Sequence, residues 1–351
     1  MKPKSFISLA VLTVVFVIAA IWSFGSQRGL TSIAVDRERA FPQLIEKAND
    51  VATVTIVSNK AKFTIARSGN GWGLAEKGSY KVSFEKVKSA IVGLGELKLL
   101  ESKTADTARY ARLQVENPGS LEAKSIGVEL KDKDDKTLAS GVIGKRHVGL
   151  FGQGGGGTYL RRGEDALSWL AEGIVDLGAE PNDWMVRDIV NLEAEDIARA
   201  VLHQPSGAEI TVTRTDKQAK DYVVTGIPKG RKLKDSSEGK NLAGGLWRLT
   251  FEDVKPAKEI AFADATYTAV YETFDGLEVR VEMTMVDEVV WGRFTASAKN
   301  AKGDKKAIDA LEKKANMITE RAKGWVYELS AGEGEKLTTK IEDILEKPKA
   351  S

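Results

Sequence analysis

Apolar and polar side chains alternate along short segments in the first part of the chain. Residues 51–57 and 62–67 carry apolar side chains at every second position, which is the period of a β-strand with one buried face. Residues 69–71, Gly-Asn-Gly, favour a turn and lead into another apolar segment at 72–74. The pattern therefore predicts three antiparallel strands joined by short turns.

A helical spacing follows these strands. Val87, Ile91 and Leu94 are four and three positions apart, which places them on one face of a helix. Ser83 precedes them and is a suitable N-cap, since a serine hydroxyl accepts a hydrogen bond from a free N–H of the first turn. A shorter helix is predicted to begin within residues 41–45.

The same succession returns in the second half of the chain. Residues 198–203, 210–214 and 222–224 have the pattern of three strands, and residues 210–214 match residues 63–67 position by position. The helical spacing also returns, at Leu242, Leu246 and Leu249.

Two hairpins continue the correspondence between the halves. Residues 125–130 and 138–145 flank an Asp-rich turn, and residues 268–273 and 277–283 flank Asp275-Gly276, a strong turn dipeptide.

One more strand and a closing helix are predicted in each half. The strands fall at 158–161 and 325–329. The helices are predicted from apolar side chains at Leu167, Leu170 and Ile174 in the first half and at Leu337, Ile341 and Ile344 in the second.

These patterns predict an α+β fold, a tandem duplication of a module made of an antiparallel sheet and helices. The first copy spans residues 41–180 and the second 181–346, followed by a tail at 347–351. The second copy carries an extra helix at 304–323. We expect its apolar face to pack on its own sheet, and docking on a partner subunit is the alternative; the face consists of Ile308, Leu311, Ala315 and Ile318.

The N-terminal part predicts a membrane anchor. Residues 6–24 contain no charged side chain and would reach roughly 28 Å as a helix, close to the hydrocarbon thickness of about 30 Å. Lys2 and Lys4 favour a cytoplasmic leader at 1–5 by the positive-inside rule. The anchor-forming side chains are Phe6, Leu9, Leu12, Phe16, Ile18, Ile21, Trp22 and Phe24.

This anchor predicts a single-pass protein of the bacterial inner membrane. Its N-terminus would be cytoplasmic, a juxtamembrane linker would follow at 26–40, and the folded region would be periplasmic or otherwise extracytoplasmic. A cleaved signal peptide is the alternative, with Ser23-Phe24-Gly25 as a small-x-small cleavage site, but the apolar segment is longer than is usual for such peptides.

Composition narrows the possible chemistry. The chain has no cysteine, so disulfides, thiolate metal sites and cysteine nucleophiles are excluded. Its 52 basic and 50 acidic residues give a net charge of +2, which does not favour nucleic-acid binding.

Some motifs resemble cofactor or metal sites but lack the neighbouring residues or elements that such sites require. Residues 152–157 satisfy G-x-G-x-x-G, but the segment that follows has the composition of a strand, whereas a dinucleotide site requires a helix there. Asp132, Asp134 and Asp135 resemble the start of a calcium loop that lacks the required later glycine and glutamate, so a solvated hairpin tip is favoured. His147 and His203 lie far apart in sequence, without metal-ligand spacing.

Two charged segments remain as candidates. Glu193, Glu195 and Asp196 precede a strand and are interpreted as a solvated turn. Residues 229–240 form a basic loop that could meet anionic lipid headgroups or an acidic partner, with a solvated loop favoured. No catalytic residue, cofactor site or metal site is predicted.

Several segments together resemble the DUF4340 family of bacterial proteins, over about residues 40–345. They are FP at 41–42, ANDV at 48–51, RYARLQV at 109–115, VIGK at 142–145, YLRR at 159–162 and DW at 183–184. The resemblance implies one N-terminal anchoring helix and a place beside ABC-type exporter components, including a protein related to a gliding-motility auxiliary subunit. It implies no catalytic residue, because none is established for the family.

We therefore predict a membrane-anchored accessory or scaffold protein without catalysis, an auxiliary component of an ABC-type export system with exporter subunits as partners. The alternative is an envelope domain that binds a glycan or lipid, for which the tryptophans supply aromatic surface. A hydrolase that uses carboxylates alone is a third hypothesis and would require two inward carboxylates, one with a raised pKa.

Overall fold

A computed structural model describes residues 37–69, 71–149, 155–262 and 266–347. The predicted anchor, residues 6–24, lies outside these ranges. Among the residues described, no helix combines the length and the apolar character needed to cross a bilayer.

A nine-stranded antiparallel sheet occupies the first half. Its strand order is β4-β3-β2-β1-β6-β7-β8-β9-β5. The strands are β1 Val51–Val57, β2 Lys62–Ser68, β3 Gly71–Leu74, β4 Tyr80–Lys81, β5 Lys98–Ser102, β6 Ile126–Asp132, β7 Thr137–Val148, β8 Gly156–Arg162 and β9 Ser168–Glu172.

An eight-stranded antiparallel sheet occupies the second half, in the order β12-β11-β10-β14-β15-β16-β17-β13. The strands are β10 Ile197–His203, β11 Glu209–Thr213, β12 Val223–Thr225, β13 Asp253–Pro256, β14 Tyr267–Thr273, β15 Glu278–Val286, β16 Val289–Ser297 and β17 Trp325–Glu328. Within the described ranges the helices are α1 Pro42–Glu46, α2 Phe84–Glu96, α3 Tyr110–Leu113, α4 Glu238–Ala243, α5 Lys305–Ala322 and α6 Ala331–Leu337.

The second sheet repeats the strand order of the first. Across the first sheet, the eight strands from β3 to β5 correspond one to one, in the same order, to the eight strands from β12 to β13 across the second. The short edge strand β4 has no counterpart among the described residues. An arginine that lies over an aromatic ring is also repeated. The guanidinium carbon lies 4.9 Å from the ring centre both for Arg67 over Trp72 and for Arg214 over Tyr222. With the antiparallel pairing and the helices, these features confirm the α+β class.

Two predicted helices pack as the apolar spacing indicates. In α2, the Ser83 hydroxyl accepts the N–H of Lys86, and Val87, Ile91 and Leu94 are buried. In α5, Leu311, Ala315 and Ile318 are buried, and the Thr319 hydroxyl donates to the Ala296 carbonyl at 3.0 Å. Because Ala296 belongs to β16, the helix packs on its own sheet, as expected.

The predicted closing helix of the first half is wrong. Residues 168–172 form β9, which pairs with β8. Leu170 is buried, but Leu167 and Ile174 are exposed, so the three side chains do not form one buried helical face. The apolar spacing from Leu167 to Ile174 matched a helix by coincidence, and pairing with β8 satisfies the backbone hydrogen bonds instead.

The helix predicted across residues 242–249 is also wrong in extent. Leu242, Leu246 and Leu249 are all buried, but α4 ends at Ala243 and Leu249 lies beyond the 3-10 turn that follows. Glycine disfavours helix continuation. A Cβ at Gly245 would lie 2.2 Å from the Tyr271 hydroxyl, so this position requires glycine.

The last predicted helix is divided in two. Leu337 ends α6, whereas Ile341 and Ile344 belong to a separate 3-10 turn, Ile341–Ile344. All three side chains are buried, so the apolar positions were identified correctly although one continuous helix was not.

Tyr80 joins the two halves. Its ring is buried and meets Phe251, Trp325 and Tyr327 of the second half edge-on, with the centre of the Trp325 ring at 5.0 Å. Its hydroxyl donates to the Val186 carbonyl at 3.0 Å. Burial raises the pKa of Tyr80 to about 12, so the phenol is neutral at ordinary pH.

We expect Tyr80→Ala to lower the free energy of unfolding by about 3–5 kcal/mol, because it removes a buried aromatic ring and leaves a cavity. Tyr80→Phe keeps the ring and loses one hydrogen bond, so a loss of about 1 kcal/mol is expected. Urea unfolding of the full chain measures both. Leu121→Ala, at a side chain that is 89% exposed, is the control, and equal effects of Tyr80→Ala and Leu121→Ala would contradict the role of this ring.

Candidate binding surface at the Trp247–Arg248 turn

The Asp-rich segment lies in a hairpin turn, and the glycine-rich segment is described only from residue 155 on. Residues 152–154 are outside the described ranges, and β8 begins at Gly156, so a strand follows the glycines as expected. At the β6–β7 turn, an Asp132 carboxylate oxygen accepts the N–H groups of Asp134 and Lys136 at 2.9 and 3.0 Å. This carboxylate therefore caps its own turn.

The two histidines are in different sheets. His147 lies on β7, with its ring centre 6.0 Å from that of Tyr159, and His203 ends β10 with Nδ1 3.2 Å from a Glu209 carboxylate oxygen. The described ranges contain no group of three histidine or acidic side chains placed to hold a metal ion.

The basic loop, residues 229–240, packs against the C-terminal segment. Leu233 forms an antiparallel bridge with Leu345, and the Lys234 N–H donates to the Ile344 carbonyl at 2.9 Å. The end of the loop is the first turn of α4. Eight of its twelve residues are exposed, so the loop is solvated as favoured, although its backbone also pairs with the C-terminal segment.

Two of the three acidic residues before β10 face a cavity of about 510 Å³, whereas Asp196 pairs with Lys217. Glu193 and Glu195 line it together with Lys240, Lys336 and Trp247. The Lys240 ammonium lies 2.7 Å from a Glu195 carboxylate oxygen. This hydrogen bond lowers the pKa of Glu195 and raises that of Lys240, so both groups are charged at neutral pH.

The turn at Trp247 and Arg248 is exposed between two buried leucines. Trp247 is 53% exposed, while Leu246 and Leu249 on either side are buried. Arg248 has a φ of 50°, in the left-handed region that non-glycine residues rarely adopt. Its N–H donates to the Asn191 side-chain oxygen at 2.8 Å, and its guanidinium carbon lies 5.0 Å from the centre of a Trp247 ring. Neighbouring groups therefore hold the turn in a costly conformation.

A second cavity of about 620 Å³ lies on the Arg248 side of the turn. Three segments enclose it: residues 188–191 of the connection between the sheets, residues 248–250, and one face of α5. Val190 and Leu249 form an antiparallel bridge that fixes the first two segments to each other. We call the two cavities and the turn between them the Trp247–Arg248 surface.

Sequence reasoning found only part of this surface. It proposed the tryptophans as a group, which includes Trp247, as aromatic surface for a ligand, and it singled out Glu193 and Glu195. It missed Arg248 and the α5 cations Lys314 and Arg321. Lys314 and Arg321 are spaced so that they flank the predicted apolar face of α5, and this spacing could have indicated them. Nothing local in the sequence indicated that Arg248 would lie on the same cavity.

A comparison with protein families identifies the chain. The family model described as "Domain of unknown function (DUF4340)" matches residues 72–267, more than half of the 351 residues. The chain is a member of the DUF4340 family. The matched range runs from β3 to the first residue of β14, so it includes the Trp247–Arg248 turn but not α5. No curated protein and no solved structure matches this DUF4340 chain.

Substitutions at Arg248 test the strain of the turn. Glycine adopts the left-handed region freely but costs about 0.5–1 kcal/mol through the entropy of the unfolded chain, so Arg248→Gly should change stability by less than about 1 kcal/mol. Valine is strongly disfavoured in that region, and Arg248→Val should be less stable than Arg248→Gly by about 2 kcal/mol. Urea unfolding of the two variants provides the comparison, and equal stabilities would show that the turn is unstrained.

Proposed function

We propose that this DUF4340 protein is a non-catalytic accessory or scaffold protein of the bacterial cell envelope. In this proposal residues 6–24 tether it to the inner membrane, with the N-terminus in the cytoplasm and the folded region outside. The Trp247–Arg248 surface binds another envelope protein, and subunits of an ABC-type exporter are the expected partners. The observation that carries the proposal is the exposed turn held between two cavities.

The residue types at this surface support protein binding. Tryptophan and arginine are enriched among the residues that dominate binding energies in protein interfaces, and methionine is also enriched there. Trp247 and Met317 are each 53% exposed, although both are large and apolar. A concave surface with exposed apolar side chains and a charged rim is typical of interaction sites.

The tether supports an accessory role. A protein fixed to the membrane meets membrane partners at a high effective concentration, so a weak contact suffices for association. The family resemblance, which places members beside exporter components, supports an exporter as the partner.

The carboxylates favour binding over hydrolysis. A general acid requires a raised pKa, whereas Lys240 lowers the pKa of Glu195 at the 510 Å³ cavity. Burial, followed by the charge of Asp253, raises the pKa of Glu328. Glu328 pairs across β17 and β13 with Asp253, which itself pairs with Lys77 at 2.7 Å where the two halves meet. This arrangement supports a structural role for the two carboxylates.

A glycan-binding domain is the second candidate, favoured by the cavity on the Trp247 side. An exposed indole is suited to a sugar ring, and Glu193 and Asn241 line the same cavity with groups that hydrogen-bond to hydroxyls. This cavity is formed within the second half of the chain.

We also infer that the two halves arose by tandem duplication. The matching strand order and the repeated Arg67–Trp72 and Arg214–Tyr222 pairs support this inference. The predicted copies, residues 41–180 and 181–346, each contain one complete sheet.

Photocrosslinking in intact cells tests the accessory role. With p-benzoylphenylalanine at position 317 of the full chain, we expect a light-dependent adduct with an exporter membrane subunit, identified by mass spectrometry. The same group at position 121, where Leu121 is 89% exposed in the first half, is the control. Absence of a membrane-protein adduct from position 317, or the same adducts from both positions, would contradict the proposal.

Tryptophan fluorescence tests the glycan candidate. Fragments of envelope glycans should quench or shift the emission of the full chain saturably, and Trp247→Phe should remove most of the change because the indole of Trp247 lines the cavity. Trp291→Phe, at a buried tryptophan, is the matched control. A response that survives Trp247→Phe, or no response to any fragment, would exclude this candidate.

A further inference from the structure

The 620 Å³ cavity carries an excess of positive charge. Arg248, Lys314 and Arg321 line it together with one carboxylate, Asp188. None of the three cations forms a salt bridge within the described ranges. Arg321 donates a hydrogen bond to the backbone carbonyl of Asp188, and the Arg248 guanidinium lies over the Trp247 ring. Positive charge therefore remains available to a ligand.

The floor of the cavity is apolar. Ile189, Val190, Leu249 and Ile318 line it and are almost fully buried, so only small parts of these side chains face solvent. Met317 lines the same cavity and is half-exposed. A methionine side chain is flexible and adapts to varied apolar partners.

The cavity wall on α5 is set by helical geometry. Lys314, Met317, Ile318 and Arg321 follow the spacing i, i+3, i+4 and i+7, so they form one face of the helix. Ile318 anchors this face in the core while the two cations flank the apolar residues. The helix is held by the Thr319–Ala296 hydrogen bonds, so the wall is preformed.

We propose that this cavity binds an acidic and apolar peptide segment of a protein partner. An apolar side chain of the segment enters between Met317 and Leu249, and neighbouring carboxylates pair with Lys314, Arg248 and Arg321. The proposal rests on the accessory function above and specifies the chemistry by which the partner is recognised.

Charge and shape favour a peptide over a membrane surface. Recognition of anionic lipid surfaces typically uses clusters of four to eight basic residues, whereas this cavity has three cations and one carboxylate. Its floor is also concave and apolar, and its volume of about 620 Å³ suits one or two side chains and their backbone.

Selection from a random-peptide phage library on the purified full chain in detergent tests the proposal. We expect enriched sequences in which Asp or Glu adjoins Leu, Ile, Phe or Met. Synthetic copies should bind with a Kd that rises with ionic strength, because salt screens the charged contacts. Fluorescence anisotropy measures this Kd.

Adjacent lysines on α5 provide a matched pair of variants. Lys314→Glu should weaken binding of the selected peptides at least about tenfold, since it replaces an attraction by a repulsion at the cavity. Lys313→Glu makes the same charge change at an exposed position outside the lining and should leave the Kd within about twofold. Circular dichroism confirms that both variants keep their helices.

Three results would overturn the proposal: enrichment of basic or uncharged sequences, no enrichment, or equal Kd values for the two variants. Saturable, Lys314-dependent binding of phosphatidylglycerol vesicles without peptide binding would also overturn it and indicate a lipid site. If the crosslink from position 317 forms while the peptide selection fails, the accessory function stands and only the peptide chemistry is wrong. If the crosslink also fails, the function itself is contradicted.

Discussion

The burial of Tyr80 against the second half is the constraint on which the rest of the structure depends. Two antiparallel sheets that follow each other along a chain could behave as separate domains, but this ring lies among Phe251, Trp325 and Tyr327. Its hydroxyl must donate inside the protein because water cannot reach it, and the Val186 carbonyl accepts that bond. The connection after residue 181 is thereby fixed at the point where it crosses between the sheets. Val82 and Met185 add an antiparallel bridge at the same place.

The position of the candidate surface follows from this junction. A fixed Val186 restrains the next residues, which run along the second half to the bridge between Val190 and Leu249. The Asn191 side chain then holds the N–H of Arg248 in its left-handed conformation. The turn therefore projects because the segments on both sides of it are tied down, and its backbone needs little ordering when a partner binds. Preorganisation of this kind improves affinity by lowering the entropic cost of association.

The parts of the fold that sequence could predict are those that depend on local periodicity. The hairpins and the Ser83-capped helix follow from alternation, turn residues and capping within a few positions. Residues 168–172 could not be assigned locally, because their apolar positions fit a helix as well and pairing with β8 decided the outcome.

The candidate surface was harder to predict from the sequence than the secondary structure. Six tryptophans follow the predicted anchor, and only the packing of surrounding elements determines that Trp247 is left exposed. The approach of Arg248 to α5 is a tertiary contact between segments distant in sequence.

The difference between the two halves explains why the surface belongs to the second. In the first half β8 connects to β9 through residues 163–167, whereas the equivalent strands β16 and β17 are separated by the whole of α5. This helix covers β16 with its apolar face and supplies Lys314 and Arg321 to the cavity with an adjoining face. The inserted helix thus adds a charged wall without altering the strand order. A repeated scaffold can acquire a binding surface in this way because the insertion lies at a connection, where extra residues disturb the core least. Residues 163–167, which form the corresponding connection in the first half, contain no helix and supply no such charged wall. Recognition of an acidic partner would therefore involve the second half alone, although the two sheets share their strand order.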